Sequence, residues 1–152
     1  PITDGASALI IATREVAERV LAGTGKRPVY ITGIDHRIES HQLGTRDLTS
    51  SMSTRIAGEH AGVSKGKVDI AELHAPFSHQ EILLKEALGL DDNTVINPSG
   101  GPLAGNIFMS AGLDRIGAVA TRIMNGEANR GVAHATSGAC LQQNLVAVLE
   151  GK

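Results

Sequence analysis

The chain has 152 residues and a formal net charge of −2 with no basic run. This excludes a nucleic-acid surface, because phosphate binding needs clustered Lys and Arg. No apolar run approaches the roughly 20 residues that span a bilayer and no signal-like segment opens the sequence, so no membrane role is expected. Cys140 is the only cysteine, which rules out an internal disulfide and makes a reducing, cytoplasmic setting the expectation.

Tyr30, Phe77 and Phe108 are the only aromatic residues, so a core in a chain of this length must be built from Ala, Val, Ile and Leu. Such a core suits close helix-to-sheet packing. Ala6–Ala12 is short and mostly apolar after the turn-like Thr3-Asp4-Gly5, and predicts a buried strand. Thr13 then caps a helix to about Leu21, with Val16, Ala17, Val20 and Leu21 on one face, and Gly23-Thr24-Gly25 ends it. Pro28–Ile34 reads as a second strand. From Asp35 to Arg46 the chain is polar without a clear period; His36 and His41 lie here, but no cysteine or acidic pair completes a metal set. Helical spacing returns over Leu48–Ala61, with Met52, Ile56 and Ala57 along one stripe and Gly62 as its stop.

Lys67–His74 alternates with period two and predicts a third strand. Ala75-Pro76 stops it, and Phe77–Leu88 forms a helix with Ile82, Leu83, Leu84 and Leu88 inward. His74 therefore stands where a strand gives way to a helix, the place where α/β sheets bring catalytic side chains to ligands. His79 and Glu81, in the first helical turn, read as solvated or capping groups. Val95-Ile96 enters the stretch Asn97-Pro98-Ser99-Gly100-Gly101-Pro102-Leu103-Ala104-Gly105-Asn106. Paired glycines permit φ > 0, the prolines fix φ, and Asn106 is an N-cap type for a helix from Ile107 to Met124. The first amides of a helix welcome an oxyanion or a thioester carbonyl. That helix is expected to bury Met109, Leu113, Ile116, Ala120 and Ile123, with Asp114, Arg115 and Arg122 elsewhere. Gly131–Thr136 and Leu145–Leu149 close the chain as a hairpin around Ser137–Asn144, and His134 reads as a packed or edge group.

Three pieces together resemble the C-terminal part of thiolase-superfamily proteins. Asp4-Gly5-Ala6-Ser7-Ala8-Leu9 is similar to the segment before that family's second half. Val68–Phe77, with Glu81 and Glu86–Leu90, looks like the strand and helix that carry the Asn-Glu-Ala-Phe or His-Asp-Cys-Phe motif. Ile96–Gly101 matches the loop that leads to the Gly-His-Pro motif. The resemblance implies a layered α/β/α fold with a mixed sheet, the second of two similar halves. Residues 1–12 would then be the last strand of the preceding half, and 13–152 the C-terminal thiolase-like domain. The nucleophilic cysteine would lie in the missing N-terminal half, so Cys140 is not that residue.

Family chemistry forms or cleaves a C–C bond next to a CoA thioester carbonyl, which requires an oxyanion site, a proton carrier and an acylated thiolate. By resemblance His74 takes the oxyanion-site histidine position, while Ala75 and Pro76 replace that motif's neighbours. Asn106 stands where the family has the Gly-His-Pro histidine; it can donate to an oxyanion but cannot accept a proton at neutral pH. Aligned from the chain end, Gly138 falls at the proton-exchanging cysteine; aligned on cysteines, Cys140 does, either as an acid/base or as a small buried hydrophobe. Gly100, Gly101, Gly105, Phe77 and Gly138 are the expected substrate-facing positions. The expected activity is an acetyl-CoA acetyltransferase-like acyl transfer in lipid metabolism, with acyl-CoA as substrate and no permanent cofactor or metal. Family relatives suggest a homodimer or tetramer, and some work with a small OB-fold partner. Replacement of the base also leaves open an aldolase-type or condensing lyase without acyl-cysteine. From another class, a non-catalytic acyl-CoA binder or assembly subunit stays open. The fragment alone is expected to be inactive.

Overall fold

The computed structural model describes residues 2–151. The elements in order are α1 (Arg14–Leu21), β1 (Val29–Ile38), α2 (Met52–Ala61), β2 (Ile70–Glu72), α3 (Ser78–Ala87), β3 (Val95–Ile96), α4 (Gly101–Ala104), α5 (Ala111–Met124), β4 (Arg130–Ser137) and β5 (Gln143–Gly151). The strands form one mixed sheet in the order β1-β5-β4-β2-β3. β1 and β4 flank β5 antiparallel, whereas β2 runs parallel to both β4 and β3.

Alternation along the strands divides the core in two. Val132, Val146 and Val148 face Ala57 and Ala61 of α2 and Leu84 of α3. Ala133, Ala147 and Leu149 face Val119 and Ile123 of α5. The result is the expected α/β/α layering, with no Phe, Tyr or Trp among the buried core residues described: Phe77 and Phe108 are exposed. Gly33 has a packing reason, since a Cβ there would run into the Ala61 carbonyl, so its absence lets the end of α2 lie against β1 at the irregularity between Ile31 and Gly33. Gly62 closes α2 in the left-handed region at φ 83°.

Several expectations are corrected. Residues 6–12 form no strand; Ile10 and Ile11 are 97% and 82% exposed. A strand needs a ladder partner, and among the described residues this segment's neighbourhood offers a single bridge, Ile2 to Asn106. α1 forms as read, with Thr13 Oγ1 accepting from Val16 N at 3.4 Å, but none of its residues is buried. It rests on β1 through Tyr30, whose hydroxyl donates to Glu18 at 2.9 Å and whose ring lies under Arg14. β1 continues to Ile38 through the supposedly patternless Asp35–Ile38, because β5 supplies nine residues of ladder. His36 and His41 are exposed. α2 begins at Met52, not Leu48, and Met52 is exposed. β2 keeps only Ile70–Glu72 of the predicted Lys67–His74. In α3, Ile82 is exposed, because two residues before Leu84 is the opposite side of a helix at about 100° per residue.

The largest correction concerns α5. It starts at Ala111, so Asn106 is not its N-cap, and Ser110 makes no side-chain cap. The buried stripe is Ala111, Arg115, Val119 and Ile123, at steps of four. Met109 lies before the helix and is 92% exposed, and Leu113 on the other face is 45% exposed. Ile116 and Ala120 are half-buried against the Val119–Ile123 cluster as expected, and with Leu113 they also wall an open cavity of about 1220 Å3, opposite Ile10, Ile11, Val16 and Val20. α5 is thus apolar on two faces, and the sequence pattern recorded both.

Candidate active site

β2 ends at Glu72, and the chain beyond it stays buried. Leu73, His74 and Ala75 are each 5% exposed or less. Asn97, at φ 47°, secures this exit: its N donates to Ala71 O (2.8 Å), its Oδ1 accepts from Leu73 N (2.7 Å) and its Nδ2 donates to Glu81 (2.6 Å). His74 is thereby held between the end of β4 and the glycine loop.

Thr136 N donates to His74 Nδ1 at 3.3 Å. A ring nitrogen that accepts carries no proton, so the neutral imidazole has its proton on Nε2. That proton faces Asn106 Oδ1 at 3.4 Å, a long and weak bond. Burial pushes the His74 pKa below its ordinary value against the opposing effect of the Asn106 contact, and the Arg115 cation works in the same direction as burial. Near neutral pH the ring is therefore an uncharged donor. Asn106 is 9% exposed, and its Nδ2 has no hydrogen-bond partner among the described residues.

The glycine loop is pinned from below. Glu72, fully buried, accepts from Ser99 N (2.9 Å), Ser99 Oγ (2.7 Å) and Arg115 Nη1 (3.1 Å). Arg115 also reaches Ser99 Oγ (3.2 Å) and pairs with Asp114. Gly101, at φ 60°, is buried with Asn97 packed where its Cβ would stand. Gly100 is at φ 91° and Gly105 is extended. A peptide hydrogen bond from Thr3 N to Asn106 O (2.9 Å) ties the far end.

The other expected site residues make no side-chain hydrogen bond to this pair among the described residues. Cys140 sits exposed in the β4–β5 turn at φ 52°, with its carbonyl accepting from Arg46 (3.0 Å), so the reading as a buried hydrophobe is corrected. Gly138 holds φ 76° in the same turn, and a Cβ there would meet Gln142, which leaves little room for a cysteine. Phe77 is 60% exposed and stacks on His79 with ring centroids 5.9 Å apart, while Glu81 is engaged by Asn97 and is not a free solvated group. His134 is packed, as read: its Nε2 is 2.9 Å from Asn144 Oδ1, and burial pushes its pKa down to about 4. Among the described residues no three His, Cys, Asp or Glu side chains gather where they could hold a metal.

Sequence reading missed Thr136, Asn97, Glu72 and Arg115. Arg115 was legible: it occupies the four-residue spacing of Ala111, Val119 and Ile123, and a charge on a buried stripe demands a buried partner.

The site thus sets a neutral imidazole donor beside an amide at the carboxyl end of a mixed sheet in an α/β protein, with a glycine loop locked next to them. No family model matches the chain. It is 34% identical over 104 residues to the 3-oxoadipyl-CoA/3-oxo-5,6-dehydrosuberyl-CoA thiolase of Escherichia coli strain K12, covering 68% of this chain and 25% of that protein. It is 30% identical over 135 residues to the acetyl-CoA acetyltransferase of Paracoccus denitrificans, covering 87% and 32% respectively. Against the benzoylsuccinyl-CoA thiolase subunit BbsB of Thauera aromatica it is 27% identical over 146 residues, covering 82% and 37%. The chain belongs to the thiolase superfamily and corresponds to the C-terminal part of these relatives. The match spans 25–37% of the length of these curated relatives.

Proposed function

We propose that the chain is the C-terminal domain of a thiolase-type acyltransferase, in which His74 and Asn106 bind the thioester oxygen of an acyl-CoA. The observation that supports this reading is the hydrogen bonding of His74: Nδ1 is occupied by Thr136 N and Nε2 is aimed at Asn106. A bound thioester oxygen would replace Asn106 Oδ1 as the acceptor of the Nε2 proton, with Asn106 Nδ2 as a second donor. Both donors strengthen as negative charge grows on that oxygen, in an enolate or a tetrahedral adduct. Asn106 cannot take up a proton, so in this reading the base that activates the thiolate comes from elsewhere. The nucleophilic cysteine is assigned to a preceding half, with residues 1–12 as the joint to it and the whole as a dimer or tetramer. Cys140 and Gly138 are given no role in the chemistry, because Cys140 is exposed and neither residue hydrogen-bonds to the pair among the described residues.

The test uses the full-length protein. His74→Ala and Asn106→Ala should each lower kcat for thiolysis of acetoacetyl-CoA by roughly a hundredfold or more. Intact mass after mixing with acyl-CoA should show one acylated cysteine upstream of this domain. Unchanged turnover in both variants would refute the assignment. Cleavage of a β-hydroxyacyl-CoA without an acyl-enzyme would replace the transferase by a lyase, and acyl-CoA binding with neither reaction would make the protein a binder.

A further inference from the structure

Glu72 and Arg115 come from different elements, β2 and α5, and meet at 3.1 Å with side chains essentially out of solvent. Burying an ion pair is a poor route to stability, since the attraction barely offsets the loss of hydration. What this pair does locally is specific. The Glu72 carboxylate binds both the N and the Oγ of Ser99, and Ser99 Oγ in turn accepts from Gly101 N at 3.2 Å. Every one of these contacts falls on the loop that runs to Asn106.

We propose that Glu72 and Arg115 are positioning residues for the His74–Asn106 pair: together with Ser99 they fix the glycine loop, and so hold the Asn106 amide against His74. This rests on the oxyanion reading above. The buried Arg115 charge also bears on the ring itself. The charged and titratable groups around His74 are Arg115 from α5, with Glu72 of β2 and Asp114 as its counter-charges, and His134 from β4; on the α3 side Glu81 is taken up by Asn97. The Arg115 cation favours the neutral imidazole. Its removal leaves Glu72 uncompensated, which favours the imidazolium, whereas removal of the Glu72 charge leaves the cation uncompensated, which favours the neutral ring further.

The two single variants therefore have opposite signatures in the full-length protein. Arg115→Met should lower kcat roughly ten- to a hundredfold with KM little changed, and should move the acid limb of the rate profile, which follows His74, to higher pH. Glu72→Gln should move that limb to lower pH, and the double variant should return it toward its original place. Ser99→Ala keeps the ion pair and should lower kcat with the limb unmoved. Arg130→Met, which removes a distant ion pair with Glu150, sets the pattern of a purely structural loss: lower melting temperature and an unmoved limb.

Imidazole resonances of His74, titrated by NMR, give the same readout without turnover, so the positioning claim is decided even where the oxyanion reading fails. Failure of that reading shows instead as unchanged turnover in His74→Ala. A folded Arg115→Met with normal kcat and an unmoved His74 titration would overturn the inference, as would shifts of the same sign in both single variants. Where the single variants do not fold, the charge-neutral double variant and Ser99→Ala decide it: normal kcat in Ser99→Ala refutes the positioning role.

Discussion

Two buried histidine–asparagine pairs lie near one another in this molecule, and they differ in whether a donor is left free. His134 and Asn144 sit on adjacent strands, 1% and 0% exposed, joined at 2.9 Å. Asn144 Nδ2 donates both to Ser53 Oγ (2.7 Å) and to Leu141 O (2.8 Å), and Ser53 is itself held by Glu39. With its amide hydrogens spent, Asn144 can only accept from His134, which fixes that ring with its proton on Nε2. His74 and Asn106 have the same chemistry at 3.4 Å, one partner on a loop and the Asn106 amide without a partner among the described residues. In the first pair every side-chain donor is spent inside the core, tying the β4–β5 hairpin to α2, and only the bare acceptor His134 Nδ1 is left without a partner among the described residues. The second has unspent hydrogen-bonding capacity at a sheet end, and that surplus is what a ligand can use.

Replacement of the asparagines should separate the two most clearly. Asn144→Ala leaves His134, Ser53 and the Leu141 carbonyl without their partner in the core and should cost about 3 kcal/mol of stability, read from denaturant melts. Asn106→Ala should cost about 1 kcal/mol or less, with its effect in turnover instead. Equal losses of stability would erase the distinction.

Acid should act through the His134–Asn144 pair, where His134 Nδ1 is the buried nitrogen open to a proton. His134 is held at about 4 in the folded chain against 6.5 as its ordinary value. The unfolded chain therefore binds the extra proton first. Stability from this group is complete above pH 6.5 and falls progressively down to about pH 4, by roughly 3 kcal/mol in all. A His134→Gln variant should lose this part of the acid sensitivity. Melts that stay flat between those pH values would contradict the neutral, buried assignment.

The loop offers a smaller perturbation. Gly101→Ala places a Cβ against the Asn97 side chain at a φ of 60°, and should cost about 1–2 kcal/mol while loosening Asn106. The smallest effect belongs to Cys140→Ser, exposed in a turn, which should stay within about 0.5 kcal/mol of the parent and leave turnover unchanged.

Much of this arrangement could be read along the chain. The hairpin of β4 and β5, the stop at Gly62, the Thr13 cap and the absence of aromatic core residues all follow from local pattern and turn chemistry. So did the placement of His74 and Asn106 near one site, which came from motif order by resemblance. The sheet order was not legible, because β2 and β3 carry only three and two paired residues and owe their strand character to β4 and to each other. The face of α5 was read only in part: Ile123 is buried and Ile116 and Ala120 pack against it, but Leu113 lines the open cavity and the stripe against the sheet contains an arginine.

The sequence by itself determined the α/β class, the aliphatic core and the residues available for chemistry, since these depend on composition, periodicity and spacing. Tertiary structure alone decided which nitrogen of His74 carries the proton and that Glu72 meets Arg115 beneath the loop. Both depend on partners 43 to 62 residues away in the chain. Such pairings are set by how strands and helices stack, and no local pattern encodes them.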